Sequence, residues 1–133
     1  MRKIVRIVVL LLVIVLAAGA VGCGDKKPKI PEGMNESVYN YGVRAVEIAD
    51  EFLDFKITKS EAEQKFKDLQ TMEDNLPNPQ GENAVSERAL RSRVISNTSI
   101  LYSGIRGFYD NVDLDAVKAN RNKLAKLLGL KER

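Results

Sequence analysis

The sequence predicts an all-α protein whose folded part is an antiparallel, up-down-up-down four-helix bundle. Three observations indicate this fold class. Four segments carry apolar residues at three- and four-residue spacing, polar segments rich in Pro, Gly, Asn and Asp separate them, and no segment alternates with period two for long enough to form a strand. Short connections between consecutive helices favour antiparallel neighbours. A three-helix core with the fourth helix packed across it is the alternative arrangement.

The first predicted helix runs from about Glu36 to Phe55 and has one apolar and one acidic face. Its apolar stripe consists of Val38, Tyr41, Ala45, Ile48, Ala49, Phe52 and Phe55. Four carboxylates, of Glu47, Asp50, Glu51 and Asp54, lie on the opposite face. A straight helix points such side chains outward and cannot wrap them around one calcium ion. The pattern therefore favours a solvated acidic face, and we predict no metal site.

The second predicted helix begins at a capping box, in which Thr58 and Glu61 satisfy backbone amides of the first turn. Its apolar stripe consists of Ala62, Phe66, Leu69, Met72 and Leu76. Pro77 and Pro79 end the helix, because proline cannot continue the hydrogen-bond ladder.

The third predicted helix is the longest and ends near Tyr109. Its apolar stripe consists of Leu90, Val94, Thr98, Leu101, Ile105 and Phe108. Asp113 is the predicted N-cap of the fourth helix, and Gly129 marks its carboxyl end. The fourth stripe consists of Val117, Leu124, Leu127 and Leu128.

A stripe of serines lies almost opposite the apolar stripe of the third helix. Its members are Ser92, Ser96, Ser99 and Ser103. Serine lowers helix stability relative to alanine, and one interpretation is a plain solvent-exposed polar face. The other is a partner-binding surface, since small residues let another helix approach closely and Ile95, Ile100 and Tyr102 flank the stripe.

The N-terminus has the pattern of an export signal. Residues 1–6 include the three basic residues Arg2, Lys3 and Arg6, and residues 7–22 form an uninterrupted apolar run that ends in small residues. That run is shorter than the roughly 20 residues that a membrane-spanning helix needs. Ala20, Val21 and Gly22 lead directly into Cys23, the one cysteine of the chain. This segment resembles the lipobox of bacterial lipoproteins, with Ala20 where that family usually has Leu.

The resemblance implies that residues 1–22 are a lipoprotein signal peptide and that Cys23 carries the lipid, with palmitate-type acyl chains. It also implies a location on the extracytoplasmic side of a bacterial cell membrane. The Pro-, Gly- and Lys-rich composition up to Asn35 predicts a flexible tether over 23–35. The helical domain is predicted over 36–133.

Composition excludes many reaction classes. The chain has no His and no Trp, so the usual general base, the commonest metal ligand and the strongest stacking side chain are missing. Three of the 21 basic residues lie in the signal, which has no acid, and the other 18 match the 18 acids. We therefore predict no nucleic-acid partner, no cofactor and no enzymatic activity.

Residues 23–133 are neutral as a whole, but their charges are distributed unevenly. The first two helices, over 36–74, hold 10 acids and 5 bases, whereas residues 82–133 hold 6 acids and 10 bases. This complementarity helps to select which faces meet, although exposed ion pairs stabilise by only about 0 to 1 kcal/mol each.

The functional prediction is a non-catalytic, lipid-anchored envelope lipoprotein whose helical domain binds a protein or another envelope component. A purely structural or stress-related surface lipoprotein is one alternative. Small prophage-encoded exclusion lipoproteins also resemble this layout of signal, tether and helical domain, and they are another.

Overall fold

A computed structural model describes residues 29–108 and 111–133, which form an antiparallel four-helix bundle. The helices are α1 (Glu36–Leu53), α2 (Lys59–Glu73), α3 (Ala84–Arg106) and α4 (Leu114–Leu127). Cys23 and the predicted signal lie outside the described residues. No helix in the described part combines the length and the apolar character needed to cross a bilayer.

Side-chain contacts along the helices establish the up-down-up-down direction. Tyr41, near the start of α1, binds Glu73 at the end of α2, and Glu51, near the end of α1, binds Lys65. The two helices therefore run antiparallel. The chain continues in the same manner, since α2 packs on α3 and α3 on α4, while α4 returns to α1. Among the described residues α2 and α4 do not touch, so they occupy opposite corners.

The predicted helix starts are confirmed by their hydrogen bonds. Thr58 and Glu61 form the reciprocal capping box, with the Glu61 carboxylate accepting from the Thr58 amide at 2.7 Å. The Asp113 carboxylate accepts from the Ala116 amide at 3.0 Å. Each cap satisfies an amide that has no partner within its helix.

α1 and α3 lie on the short diagonal of the bundle, since each of them packs against all three other helices. α1 illustrates the effect on burial. It buries more than one stripe, adding Tyr39, Gly42 and Val46 to the predicted face. Gly42 is a point where α1 comes close to α3 and to the end of α4. A Cβ there would lie 2.9 Å from Leu128 Cδ2 and 3.0 Å from Val94 Cγ1. α4 thus packs at full depth in the core, as the four-helix prediction requires.

The core prediction was wrong for Phe55, which is 79% exposed. α1 ends before this residue in a Schellman motif, in which the Lys56 amide bonds to Glu51 O and the Phe55 amide to Phe52 O. Phe55 occupies the left-handed position of that motif, with φ 56°. Because the chain has left the helix there, the stripe no longer directs the ring inward. Gly129 takes the equivalent position after α4, as predicted.

Phe108 and Met72 are also exposed, contrary to the predicted stripes. α3 ends at Arg106, and Gly107, with φ 67°, turns the chain so tightly that a Cβ would lie 2.4 Å from Asn111 O. Phe108 therefore lies beyond the helix and not on its face. In α2 the inward position next to Met72 is taken by Glu73, which binds the buried Tyr41 hydroxyl.

Among the described residues, Ile30 already packs against the core, before the predicted domain start at Glu36. Pro31 O accepts from the Met34 amide at 3.0 Å in a turn that contains Gly33 at φ 75°. This turn places Met34, 8% exposed, in the core. The last six residues of the predicted flexible tether are therefore part of the bundle, because burying Met34 and packing Ile30 offsets the cost of ordering them.

Candidate functional site

The predicted partner-binding serines form an exposed face on α3. Ser92, Ser96, Ser99 and Ser103 are all exposed, whereas Val94, Leu101 and Ile105 on the opposite side are fully buried. The structure thus places the four serines on one outward strip about 16 Å long, from the helical rise of 1.5 Å per residue. Their role in binding stays a prediction.

The residues that flank the serine face differ in their surroundings. Ile100 is 49% exposed and extends the strip with apolar surface. Tyr102 instead stacks on Phe66 of α2, with ring centroids 5.2 Å apart, and the Arg106 guanidinium lies 5.7 Å from the Tyr102 ring. Tyr102 therefore helps to hold α2 against α3 and offers little free surface.

Basic residues pair with all four carboxylates of α1, so these carboxylates do not form a purely solvated face. Glu47 binds Arg44 at 2.9 Å on the same helix, and Glu51 binds Lys65 of α2. The pairs formed by Asp50 and Asp54 reach further, to α4 and the C-terminal residues. Over residues 29–108 and 111–133, no group of three acidic, Cys or His side chains is placed to hold a metal ion.

Arg121 is the centre of the ionic network and was not predicted from the sequence. Its Nε and Nη2 donate to the two oxygens of Asp50 at 2.9 and 2.8 Å, and its Nη1 donates to Lys131 O at 2.6 Å. The Arg121 side chain is only 9% exposed. The sequence nevertheless indicated that Arg121 would be buried, since it lies between Val117 and Leu124 at helical spacing in the apolar stripe. A cation there requires a partner, but the pattern does not say which one.

The C-terminal residues fold back onto α1 through the same network. Arg133 donates to Asp50 at 3.0 Å and also binds Asp54, while its amide donates to the Asn122 side chain at 3.0 Å. Hydrogen bonds from Arg133 and then Lys56 lower the pKa of the Asp54 carboxyl below its usual value. These contacts connect Arg133 to the C-terminal end of α1.

A second surface feature is a basic groove between α3 and α4, with a volume of about 460 Å³. We call it the α3–α4 groove and define it by Arg93, Asn97, Lys123, Lys126 and Leu127. The Asn97 side chain donates to Arg93 O at 2.8 Å along one wall. Within the described part of the chain, none of the three cations has a carboxylate within 4.0 Å.

The buried polar contact between α1 and α2 serves packing. The Tyr41 hydroxyl donates to the Glu73 carboxylate at 3.1 Å, and the Tyr41 side chain is 1% exposed. Burial, together with the charge of Glu73, raises the pKa of Tyr41 above its usual value. Tyr41 is therefore kept neutral and donates a hydrogen bond.

Comparisons of this chain with models of protein families, with curated proteins and with solved structures found no match.

Proposed function

We propose that this chain is a lipid-anchored, non-catalytic lipoprotein on the extracytoplasmic side of a bacterial cell membrane. In this proposal its helical domain binds an envelope protein through α3. The observation that carries the binding part is the outward strip of four serines, which runs beside the exposed Ile100 on the longest helix. The anchoring part rests on the resemblance of residues 20–23 to a lipobox.

The anchor requires the Cys23 thiol, because diacylglycerol is attached there in the family that the sequence resembles. Each buried methylene stabilises membrane attachment by about 0.8 kcal/mol, so two or three acyl chains hold the protein stably, whereas a single chain does so marginally. Seven peptide steps separate Cys23 from Ile30, which packs against the core, and they span at most about 25 Å. The bundle would therefore stay close to the headgroups.

The strip on α3 suits a helical or flat protein surface. Serine side chains occupy little space, so the backbone of a partner helix can come close, and their hydroxyls offer hydrogen bonds. The apolar core is complete without this face, since Val94, Leu101 and Ile105 point the other way and are fully buried. A partner can therefore dock without disturbing the fold.

The anchoring proposal is tested by replacing Cys23 with Ser. Metabolic labelling with an alkyne fatty acid should mark the parent protein and leave Cys23→Ser unlabelled. Equal labelling of the two proteins would show that the lipid is not on Cys23.

The binding proposal is tested by placing a photoactivatable crosslinking residue at Ser96 or Ser103 in cells. Both positions should yield an adduct with the same envelope protein, while the exposed control positions Asn40 and Ala119 on α1 and α4 should not. Ser96→Arg with Ser103→Arg should abolish binding of that protein and leave stability within about 0.5 kcal/mol, as is usual for surface substitutions. Absent adducts, or the same adducts from all four positions, would refute the docking face.

A further inference from the structure

We propose that the α3–α4 groove binds the phosphate of an anionic lipid headgroup in the membrane to which the protein is anchored. This inference rests on the proposed lipid anchor for its biological setting. The groove brings Arg93 of α3 together with Lys123 and Lys126 of α4, over the half-buried Leu127. Three of the five residues that line the groove are therefore positively charged.

The groove brings together three cations that no carboxylate of the described residues neutralises, unlike the basic residues that pair with α1. Arg44, Lys65, Arg121 and Arg133 all pair with carboxylates of α1. In the described part of the chain the three groove cations have no such partner. Three neighbouring cations repel one another, so an anion that binds among them is attracted by the combined field.

Attraction to the negative end of a helix accounts for the position of only one of the three groove cations. Lys126 lies in the last turn of α4, where a positive charge is favourable. Lys123 lies a turn earlier, and Arg93 lies in the third turn of α3, where no helix end attracts it. Lys123 and Lys126 are about 4.5 Å apart along the helix axis, so both can reach one phosphate.

The position of the groove indicates a lipid source for this phosphate. Gly42 lies against Val94 and Leu128, which adjoin the groove residues Arg93 and Leu127 in the chain. Since Gly42 is only about 9 Å along the axis from the start of α1, the groove lies near the end of the bundle where the tether enters. The short chain from Cys23 keeps this end closest to the membrane.

The test uses the full chain carrying Cys23→Ser, purified in dodecyl maltoside, so that the outcome does not depend on lipidation. Dihexanoyl-phosphatidylglycerol, dihexanoyl-phosphatidylcholine and inorganic phosphate are titrated separately, and the amide NMR shifts of the protein are followed. Each of the two lipids is kept below its own critical micelle concentration. Phosphatidylglycerol should shift the amides of Arg93, Lys123 and Leu127, whereas the other two should bind at least tenfold more weakly.

The double variant Lys123→Gln with Lys126→Gln should weaken phosphatidylglycerol binding by about 25-fold, from about fivefold per lysine near an anionic surface. The matched control is Lys67→Gln with Lys118→Gln, which removes the same charge from two exposed sites elsewhere. Arg93→Gln alone should weaken binding about fivefold and provides a second check from the α3 side.

Three outcomes would overturn the proposal. Equal binding of inorganic phosphate would assign the groove to a free anion, equal binding of phosphatidylcholine would exclude recognition of headgroup charge, and equal weakening in the control pair would place binding elsewhere. Because the protein tested is not lipidated, a failure here does not bear on the anchor. Equal labelling of the parent protein and Cys23→Ser, which would refute the anchor, does not bear on binding in the groove.

Discussion

Removing Asp50 should destabilise the bundle more than removing Arg121, although the two residues form one ion pair. Asp50→Ala leaves a guanidinium that is only 9% exposed without acceptors for Nε and Nη2, while its Nη1 keeps Lys131 O. Breaking a buried ion pair from one side costs about 3 to 5 kcal/mol. Asp50 is 31% exposed, so water can enter the vacated space, and we expect about 2 to 4 kcal/mol.

Arg121→Met has a smaller expected effect because Asp50 keeps a second partner. Arg133 still donates to Asp50 at 3.0 Å, and methionine fills part of the volume of the arginine stem. We expect a loss of about 1 to 2 kcal/mol, which is below the cost of an uncompensated buried charge. The double variant should lose at least about 1 kcal/mol less than the sum of the two single losses, since neither charge remains to be desolvated.

The assay is urea unfolding of a soluble fragment covering residues 29–133, followed by circular dichroism at neutral pH. The fragment includes Lys131 and Arg133 because both contact the network. Matched m-values would confirm that the variants change stability and not compactness. Losses that add within about 0.5 kcal/mol, or a larger loss for Arg121→Met than for Asp50→Ala, would refute this account of the network.

Two further predictions test the core and the acid response in the same fragment. Phe66→Ala should cost about 3 to 5 kcal/mol because Phe66 is 1% exposed, whereas Phe55→Gly should stabilise by about 1 kcal/mol by removing left-handed strain from an exposed residue. A destabilised Phe55→Gly protein would contradict the Schellman assignment. The lowered pKa of Asp54 contributes stability above its usual value of 3.8, which is lost as the pH falls through the lower value of the folded state. Asp54→Asn and Arg133→Gln should both flatten the decline in urea midpoint between about pH 4 and pH 2, and an unchanged slope in both would contradict the pairing.

The sequence by itself determined the helical class, the number of helices and most of their ends. These features depend on local rules: a period of 3.6 residues, the caps at Thr58 and Asp113, and Gly129 at the end of α4. The exposed serine face on α3 was predictable for the same reason, since opposite faces of one helix follow from its period alone.

Local rules failed where a helix ended early or where a helix had more than one neighbour. Phe55 and Phe108 continue the apolar period in the sequence, but the chain has already turned at both points, so the period no longer describes a face. Tyr39 and Val46 lie off the first stripe, and they are buried because α1 packs against three helices at once.

Only the tertiary structure decided which charges meet. The acidic and basic halves were visible in the sequence, yet the pairing of Arg121 with Asp50, 71 residues apart, depends on α4 returning to the side of α1. The same arrangement brings Arg93 of α3 and the two lysines of α4, Lys123 and Lys126, into the lining of one groove. The period of the side chains determines which residues share a face of one helix, but it does not determine which other helix that face contacts. The long-range pairs therefore depend on the rotation and register of the helices in the assembled core.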